Sequence, residues 1–284
     1  MSVPLLEFHQ VGFRYPNTPE PVLRDCSFTL EAGRKVALLG LNGSGKSTLF
    51  YLAAALYRRD RGEIYCQGQR LVHQPQRLRQ WRQRIGLAFQ DPEQQLVAAT
   101  VAEDISYGLC NLGLSPPEVA ARLHQTLQEF DLVALADRPL HHLSLGQKRR
   151  VALAGVMALA PTLLLLDEPT TYLDYQQRQQ LRELLEKIHQ QGTTIVIATH
   201  DLDFAYGWAD WIMILVNGQV SVSDRASHVF GQWPTFAPEL GTPTLLGLWQ
   251  QLPPAWRQHR PFPRTVTEFS RELGERFRHL GDEC

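Results

Sequence analysis

Short alternating runs of apolar and polar residues open the chain over residues 5–30, with three prolines among them. Because alternation with a period of two puts one face of a strand in the core, this stretch is predicted to form antiparallel β-structure. The apolar run 35–39 predicts a short buried strand, which a glycine-rich loop and a helix over 47–56 would follow. Residues 62–90 are predicted to return to strands and polar turns.

Helical patterns dominate residues 91–150, where a helix is predicted over 117–130. Farther along, the apolar runs 163–166 and 194–198 flank a predicted helix over 176–190. Strands that alternate with helices favour a parallel sheet whose two faces are both covered. The predicted fold class is therefore α/β.

The last sixty residues have a different pattern. Residues 233–263 are rich in Pro, Trp and Gln, and residues 265–268 fit a capping box that opens a helix. We expect a first domain over 1–225 and a C-terminal extension over 226–284 that ends in an amphipathic helix. This helix would pack either on its own domain or against a second subunit, and its apolar stripe consists of Phe269, Leu273, Phe277 and Leu280.

Composition narrows the class of protein. With 44% hydrophobic and 20% charged residues, the 284-residue chain is neither disordered nor fibrous, and its net charge of −1 does not indicate a nucleic-acid partner. Its four cysteines are far apart, which argues against a zinc site or a disulfide framework. No signal peptide is recognisable, and the longest apolar run, 151–166, is too short for a bilayer. We expect a soluble chain that meets a membrane only through partners.

Residues 40–47 read G-L-N-G-S-G-K-S and fit the phosphate-loop pattern G-x-x-x-x-G-K-[ST]. The glycines let backbone N–H groups turn toward phosphates, Lys46 adds a positive charge, and the Ser47 hydroxyl can bind Mg²⁺. The alternative is an ordinary glycine-rich turn between a strand and a helix, but the chain has only four lysines against twenty-four arginines, which argues against a chance match at Lys46. The candidate nucleotide-binding residues here are Gly40, Asn42, Gly43, Ser44, Gly45, Lys46, Ser47 and Thr48.

A second apolar run ends in the carboxylates Asp167 and Glu168. A strand that ends there would bring both to the carboxyl edge of the sheet, beside the phosphate loop. In a nucleoside triphosphatase, Asp167 would hold Mg²⁺ and Glu168 would polarise the attacking water. The simpler alternative is a pair of acidic residues that cap the next helix.

Four further short motifs follow, at 89–92 (F-Q-D-P), 143–147 (L-S-L-G-Q), 172–174 (Y-L-D) and 199–201 (T-H-D). Their order resembles that of the nucleotide-binding subunits of ATP-binding-cassette (ABC) transporters, in which they would be the Q-loop, the signature motif, the D-loop and the segment of the switch histidine. The resemblance covers residues 5 to about 225. It implies a RecA-like core, an antiparallel β subdomain and a helical subdomain at about 91–150.

This resemblance also implies ATP hydrolysis with ATP and Mg²⁺ as cofactors. Tyr15 would stack on the adenine, Gln90 would reach Mg²⁺ and the attacking water, and His200 would hydrogen-bond the γ-phosphate. Asp174 would belong to the D-loop. Each nucleotide would lie between two subunits, where it would contact the partner's signature residues Ser144, Leu145, Gly146 and Gln147.

Two positions depart from the family pattern. Leu145 replaces a glycine of the signature, and its side chain would crowd the partner's phosphate if the backbone needed a positive φ. Ser144 and Gly146 are present, so we expect function to survive. Tyr172 stands where a small D-loop residue is common, and it would pack at the seam between two subunits.

The segments 89–96, 103–108 and 111–114 resemble the energy-coupling-factor (ECF) importers, and among these most closely the cobalt-type ATPase. This implies a homo- or heterodimer of ATPase subunits at the cytoplasmic face of the membrane, with peripheral attachment. The other partners would be a transmembrane scaffold protein, which would bind residues 90–108, and a membrane protein that binds the substrate.

The resemblance implies cobalt or nickel as the transported substrate and leaves a vitamin such as biotin open. A soluble ABC ATPase of DNA repair or translation is a further alternative, but the chain has no heptad stretch, carries a single cassette and is nearly neutral. The chain itself is not expected to bind a transition metal, because the adjacent His141 and His142 have no second cluster of ligands nearby.

Overall fold

A computed structural model describes residues 3–233, 235–257 and 262–282, without the side chains of 276–282. Its strands, in chain order, are β1 (Leu6–Phe13), β2 (Leu23–Leu30), β3 (Lys35–Leu39), β4 (Arg61–Cys66), β5 (Gln69–Arg70), β6 (Ile85–Ala88), β7 (Leu163–Asp167), β8 (Thr194–Ala198), β9 (Trp211–Val216) and β10 (Gln219–Arg225).

The helices lie between and after these strands. In chain order they are α1 (Lys46–Ala53), α2 (Pro75–Arg84), α3 (Val101–Cys110), α4 (Pro116–Glu129), α5 (Leu145–Met157), α6 (Tyr175–Gln190), α7 (Leu202–Trp208), α8 (Ala226–Gly231), α9 (Thr244–Gln251), α10 (Pro254–Arg257) and α11 (Val266–Asp282).

Two sheets organise the described part of the chain. An antiparallel sheet has the order β2-β1-β4-β5, and a six-stranded sheet has the order β10-β9-β3-β8-β7-β6. In the second sheet β3, β6, β7, β8 and β9 are parallel, whereas β10 runs antiparallel to β9. Asp167 and Leu38 both lie opposite Ala198, so the strands that lead to the predicted motifs end at one edge.

The six-stranded sheet is buried on both faces. Along β7, Leu164 and Leu166 belong to one apolar cluster, whereas Leu163 and Leu165 belong to the cluster on the opposite face. All five residues of β7 and of β8 are buried. This arrangement confirms the predicted α/β class, because parallel strands covered on both faces are continuous apolar runs.

Residues after β10 share this core. Phe230, Trp233 and Leu246 are buried in the same cluster as β7 and α5. The connection to α11 is held by the Arg264 guanidinium, which donates to the carbonyls of Tyr206 and Ala209. The predicted final helix is present as α11, where Phe269 contacts Trp249. The side chains of Phe277 and Leu280, the rest of its predicted stripe, lie outside the described residues.

The structure corrects one predicted stretch and shifts two helix boundaries. Residues 62–90 are not all strands and turns, because Pro75 opens the helix α2, in which Trp81 is buried and arginine and glutamine favour helix. Helix α1 ends at Ala53 rather than at residue 56, since Ala55 adopts φ 55°. Helix α5 begins at Leu145, two residues before the start of the helix that the pattern after the signature motif predicts over 147–159.

Candidate functional site

The phosphate loop lies between the end of β3 and the start of α1. Gly45, the N-cap of α1, has φ 105°, and Gly43 has φ 79°, both in the left-handed region that favours glycine. A Cβ atom on Gly45 would also come within 3.0 Å of the Leu23 side chain. The loop therefore needs glycine at this position for both conformation and space.

Lys46 is buried at the first position of α1. Its Nζ atom donates to the carbonyl oxygens of Gly40 (2.8 Å) and Leu41 (3.1 Å), so the side chain folds back over the loop. Burial lowers the pKa of Lys46, while the charges of Glu168 and Asp167 act in the opposite direction. The Lys46 ammonium group is buried and donates to two carbonyl oxygens. An anion bound at the loop could accept these hydrogen bonds in place of the carbonyl oxygens.

Asp167 ends β7 and is only 3% exposed. Burial raises the pKa of its carboxyl and the charge of Glu168 adds to this, while the Ser47 hydroxyl, which hydrogen-bonds to Asp167, and Lys46 lower it. Its Oδ1 atom has no hydrogen-bond partner among the described residues. A buried, unpartnered carboxylate oxygen beside a serine hydroxyl fits a hard cation such as Mg²⁺, which prefers oxygen ligands.

Hydrogen bonds fix both the backbone and the carboxylate of Glu168. Its backbone has φ 46°, and its N–H donates to the Ala198 carbonyl at 2.8 Å. Its Oε1 atom lies 2.9 Å from His200 Nδ1, and its Oε2 atom accepts from the Thr199 hydroxyl at 3.2 Å and from the His200 N–H at 3.4 Å. The carboxylate is therefore fixed at the edge of the sheet, while the His200 ring remains mostly exposed.

The segment after His200 is anchored to a neighbouring helix. Asp201 caps α7 by accepting from the Phe204 N–H at 3.0 Å. Its other carboxylate oxygen lies 2.9 Å from Nη1 of Arg178, which belongs to α6. This ion pair couples α6 to the strand that presents His200.

Tyr15 lies on the other side of the loop. Its hydroxyl is 2.9 Å from the Thr48 hydroxyl, and its ring meets those of Phe13 and Tyr57 edge to face. The half-buried ring is thus fixed beside α1 by its hydroxyl and by two neighbouring aromatic rings. The two sequence candidates Tyr15 and Thr48 are brought into direct contact.

Gln90 follows β6 and is exposed, two residues beyond the strand end. The nearby Gln95 makes the contacts that shape this loop. Its Oε1 accepts from the Phe89 N–H at 3.1 Å, and its Nε2 donates to the Ala152 carbonyl of α5 at 2.8 Å. Gln95 therefore ties the Q-loop to the helix that carries the signature motif.

The signature motif forms the N-terminus of α5. Ser144 is the N-cap, and its hydroxyl accepts from the Gln147 N–H at 3.3 Å, while the Gln147 side chain accepts from the Ser144 N–H at 2.9 Å. Leu145 is the first helical residue and is absent from the residues with positive φ. The condition under which its side chain would crowd a phosphate is therefore not met.

The phosphate loop and the signature motif of this chain line different cavities. Residues 41–44 line one of about 460 Å³, together with Val22 and Asn217. Ser144, Gly146 and Gln147 line another of about 410 Å³. Asp167 borders the second cavity, so the signature lies near the acidic strand end of its own chain without joining its phosphate loop.

The D-loop ends in a helix cap. Asp174 is the N-cap of α6, and its carboxylate accepts from the Gln177 N–H at 2.8 Å. Two residues before it, Tyr172 has φ 62° and is 82% exposed, and Tyr175 is also largely exposed. Two exposed aromatic rings here are unusual for a surface that contacts only water.

Sequence reasoning identified the residues that meet at the sheet edge but missed Gln95 and Arg178. Both act through hydrogen bonds to partners that are distant in sequence, and neither lies in a recognisable spacing. In the described ranges, no group of three or more His, Cys, Asp or Glu side chains is arranged to hold a metal ion. Among the same residues, no helix has the length and apolar content needed to cross a bilayer.

Comparison with known proteins agrees with this geometry. The family model described as ABC transporter matches residues 23–171. A Nostoc protein, named provisionally as an ABC transporter ATP-binding protein, is 46% identical over 95% of this chain and 99% of its own length. The energy-coupling factor transporter ATP-binding protein EcfA of Carboxydothermus hydrogenoformans is 39% identical over 76% of this chain and 78% of its own.

Solved structures give the same result. The structure of cbiO1 from Clostridium perfringens, described as part of the ABC transporter complex cbiONQ, aligns with a TM-score of 0.73 and 33% identity over 81% of this chain and 92% of that chain. The ATP-binding cassette MJ0796, in a dimeric structure bound to ADP and Pi, aligns with a TM-score of 0.70 and 27% identity over 78% and 98%. The matched family model and the full-length similarity to the Nostoc protein show that this chain belongs to the ATP-hydrolysing ATP-binding proteins of ABC transporters.

Proposed function

We propose that this chain is the ATPase subunit of an ECF-type importer, with cobalt or nickel ions as the substrate. The observation that carries the ATPase role is the cluster of Lys46, Asp167, Glu168 and His200 at one edge of the sheet. The importer type is supported by the names of its relatives, among them the EcfA proteins and cbiO1. The cobalt or nickel assignment rests on the resemblance of segments 89–96, 103–108 and 111–114 to the cobalt-type ATPase.

The residues at the sheet edge divide the chemistry among them. The loop N–H groups and Lys46 would bind the phosphates, while Ser47, Asp167 and Gln90 would hold Mg²⁺. When bound, Mg²⁺ neutralises charge on the phosphates. Tyr15 would pack against the adenine.

Glu168 would act on the attacking water. Its carboxylate orients that water and accepts its proton, and the Thr199 hydroxyl holds the group in place. His200 lies on the same carboxylate through Nδ1, and in its doubly protonated form the ring can also donate from Nε2 to an oxygen of the γ-phosphate. The catalytic residues in this proposal are Glu168, His200 and Gln90.

A second ATPase subunit would complete each site. Residues 41–44 of the phosphate loop and Ser144, Gly146 and Gln147 of the signature motif line separate cavities in one chain, which supports a site that a second chain completes. The N–H groups at the start of α5 would bind the partner's nucleotide, with Ser144, Leu145, Gly146 and Gln147 at the contact. Asp174 and the exposed Tyr172 would lie at the seam between the two subunits.

The scaffold protein would bind beside the Q-loop. In this segment Val97 is 67% exposed and Tyr107, on α3, is 59% exposed. Exposed apolar side chains beside a loop that carries Gln90 would suit a helix of a membrane protein that follows nucleotide-driven movement. The chain would then be a peripheral protein of the cytoplasmic membrane face, with a separate membrane protein to bind the substrate.

The test is transport by the complete assembly. The chain is purified with its membrane partners, placed in liposomes and supplied with ATP, and uptake of radioactive cobalt, nickel and biotin is compared. We expect metal uptake that is lost in the Glu168→Gln complex. Uptake of biotin alone would move the assignment to a vitamin importer, and copurification of DNA or ribosomes without an integral membrane protein would overturn the transport role.

A further inference from the structure

A groove rich in arginine lies between α2 and the short strand β5. It has a volume of about 410 Å³, and its polar lining comes from Gln69, Arg70, Arg77, Gln80 and Arg84. It is separate from the cavities that adjoin the phosphate loop and the signature motif. We call this surface the arginine groove.

The charge around the arginine groove is very different from that of the whole chain. Residues 58–84 contain eight arginines and two acidic residues, Asp60 and Glu63, so this stretch carries a net charge of +6 in a chain whose net charge is −1. Helix α2 has no acidic residue in its ten positions. The net charge of the whole chain is near zero although residues 58–84 form one strongly basic region.

Part of this charge is unbalanced within the chain. Arg70 forms an ion pair with Glu63 (2.5 Å), and Arg84 donates to the neutral Gln69 side chain at 2.9 Å. Arg77 and Arg79 are exposed on α2, and neither has an ion pair within the described part of the chain. The groove thus presents guanidinium groups with unused donors.

A neighbouring histidine reports the local positive potential. His73 precedes α2, and its pKa is lowered first by burial and then by the charges of Arg59, Arg58 and Arg82. The arginines around α2 are therefore close enough together to disfavour a further positive charge. An anion would experience the opposite effect.

We propose that the arginine groove binds the anionic headgroups of membrane phospholipids. Guanidinium groups bind phosphate with paired N–H donors, and several at one surface attract a negatively charged bilayer. Single-stranded RNA is less well matched, because such sites combine arginine with exposed aromatic rings. The aromatic ring of α2, Trp81, is 5% exposed and is held by a hydrogen bond from Nε1 to the Ala53 carbonyl.

The position of the groove suits this role, and here the proposal rests on the proposed importer function. Helix α2 runs directly into β6, the edge strand of the large sheet, and β6 leads to the Q-loop. The groove therefore lies at the amino end of β6 and the proposed scaffold-binding segment begins at its carboxyl end, and the four residues of this strand span about 13 Å. Headgroups beside the scaffold protein would then meet the arginines.

The experiment measures binding of the purified full-length chain to vesicles, by sedimentation, without any partner protein. Vesicles of phosphatidylcholine are compared with vesicles that contain one third phosphatidylglycerol. The test variant carries Arg70→Gln, Arg77→Gln and Arg84→Gln. The matched control carries Arg138→Gln, Arg225→Gln and Arg271→Gln, the same change of charge at other exposed positions.

We expect the unaltered chain to bind the anionic vesicles preferentially, and less strongly as salt is added. Each arginine near a charged bilayer increases the affinity for the vesicles about fivefold, so the test variant should bind about a hundredfold more weakly. The control should bind like the unaltered chain. If the triple variant does not fold, the pair Arg70→Gln and Arg77→Gln, both exposed and both lining the groove, should bind anionic vesicles about thirtyfold more weakly.

Equal binding of the test variant and the control would overturn the proposal, as would equal binding to neutral and anionic vesicles. Tighter binding to a single-stranded RNA oligonucleotide than to anionic vesicles would assign the groove to nucleic acid instead. Because no transport partner is present, failure of the importer proposal would leave vesicle binding intact. ATP hydrolysis by the test variant in detergent-free buffer should remain unchanged.

Discussion

Among single residues, Glu168 carries the sharpest expectation. Glu168→Gln keeps the shape of the side chain and its contact with Thr199 but removes the base, so ATP binding should persist while hydrolysis falls by about 10²–10⁴-fold. Fluorescent nucleotide binding and phosphate release measure the two quantities. The exposed Glu183→Gln on α6 is the control and should hydrolyse ATP normally. Near-normal turnover in Glu168→Gln would remove this residue from the reaction.

Lys46 offers a second test at this scale. The chain has four lysines, so Lys46→Ala and the exposed Lys187→Ala form a matched pair. Hydrogen bonds to charged groups contribute about 1.5–3 kcal/mol each, so Lys46→Ala should weaken ATP binding by about 10- to 150-fold. Equilibrium titration with ATP measures the effect. Unchanged affinity would show that the ammonium group does not reach the phosphates.

The cysteines give a prediction that depends on pH. Burial raises the pKa of Cys26 and of Cys66 to about 11, whereas Cys110 is exposed. A raised pKa keeps both buried thiols protonated, so the reactive thiolate is about a thousandth of the population at pH near 8 and increases as the pH rises. On a Cys284→Ser background, a maleimide should label one site in the folded chain and three in denaturant. Rapid labelling of Cys26 would contradict the buried environment.

Sequence patterns predicted the charged residues of the candidate site, because these residues lie in recognisable motifs. The patterns missed Gln95 and Arg178, whose hydrogen-bond partners are distant in sequence. Lys46 and Asp167 follow apolar strands at fixed positions, so their meeting could be inferred from the rules of parallel sheets. Gln95 contacts Ala152, 57 positions later, and no local spacing encodes such a contact. The backbone of Leu145 could also not be known before the start of α5 was placed.

At the scale of whole helices, replacement of an N-cap residue tests both the free energy of unfolding and the proposed role of the signature motif in ATP hydrolysis. Ser144 and Ser115 are the N-caps of α5 and α4, and each hydrogen-bonds with the residue three positions later, Gln147 and Glu118 respectively. Replacement of either by alanine should lower the free energy of unfolding by about 1 kcal/mol in urea denaturation. Only Ser144→Ala should also reduce ATP hydrolysis, because α5 would face the partner's nucleotide. Equal ATPase activity in the two variants would leave the cap as the sole role of Ser144.

Helices and strands could be predicted from the sequence where apolar residues form a continuous run or recur at regular spacing. Strands β7 and β8 are continuous apolar runs, and α6 begins within one residue of its predicted start. Helix α2 was missed because its positions are mostly arginine and glutamine, so only Leu78 and Trp81 mark its inner face. In such a segment the start signal of Pro75 carries more information than periodicity.

Considered as a whole, the molecule extends its core beyond the proposed boundary at residue 225. A chain that ends there would lose Phe230, Trp233 and Leu246 from the cluster behind the large sheet. Large apolar side chains are each worth about 2–5 kcal/mol, and whole domains about 5–15, so this truncation should abolish cooperative folding. A chain that ends at residue 264 keeps Arg264 on Tyr206 and should fold, as followed by thermal denaturation.

The shorter truncation also tests the role of α11. Sedimentation analysis of the chain that lacks residues 265–284 would reveal whether α11 joins two subunits. An oligomeric state equal to that of the full chain would show that the final helix is not a subunit contact. Cooperative folding of the chain that ends at 225 would contradict the shared core.

The hydrogen bonds of Gln95 have a mechanical consequence. One short side chain joins the backbone of Phe89, at the end of the edge strand, to that of Ala152, in the middle of α5. Hydrogen bonds tolerate only a few tenths of an ångström of extension, so a rotation of α5 relative to the sheet would either carry the loop with it or break this link. Together with the ion pair between Lys148 of α5 and Glu93 (2.5 Å), Gln95 would therefore carry a small angular displacement of α5 to the surface beside Gln90.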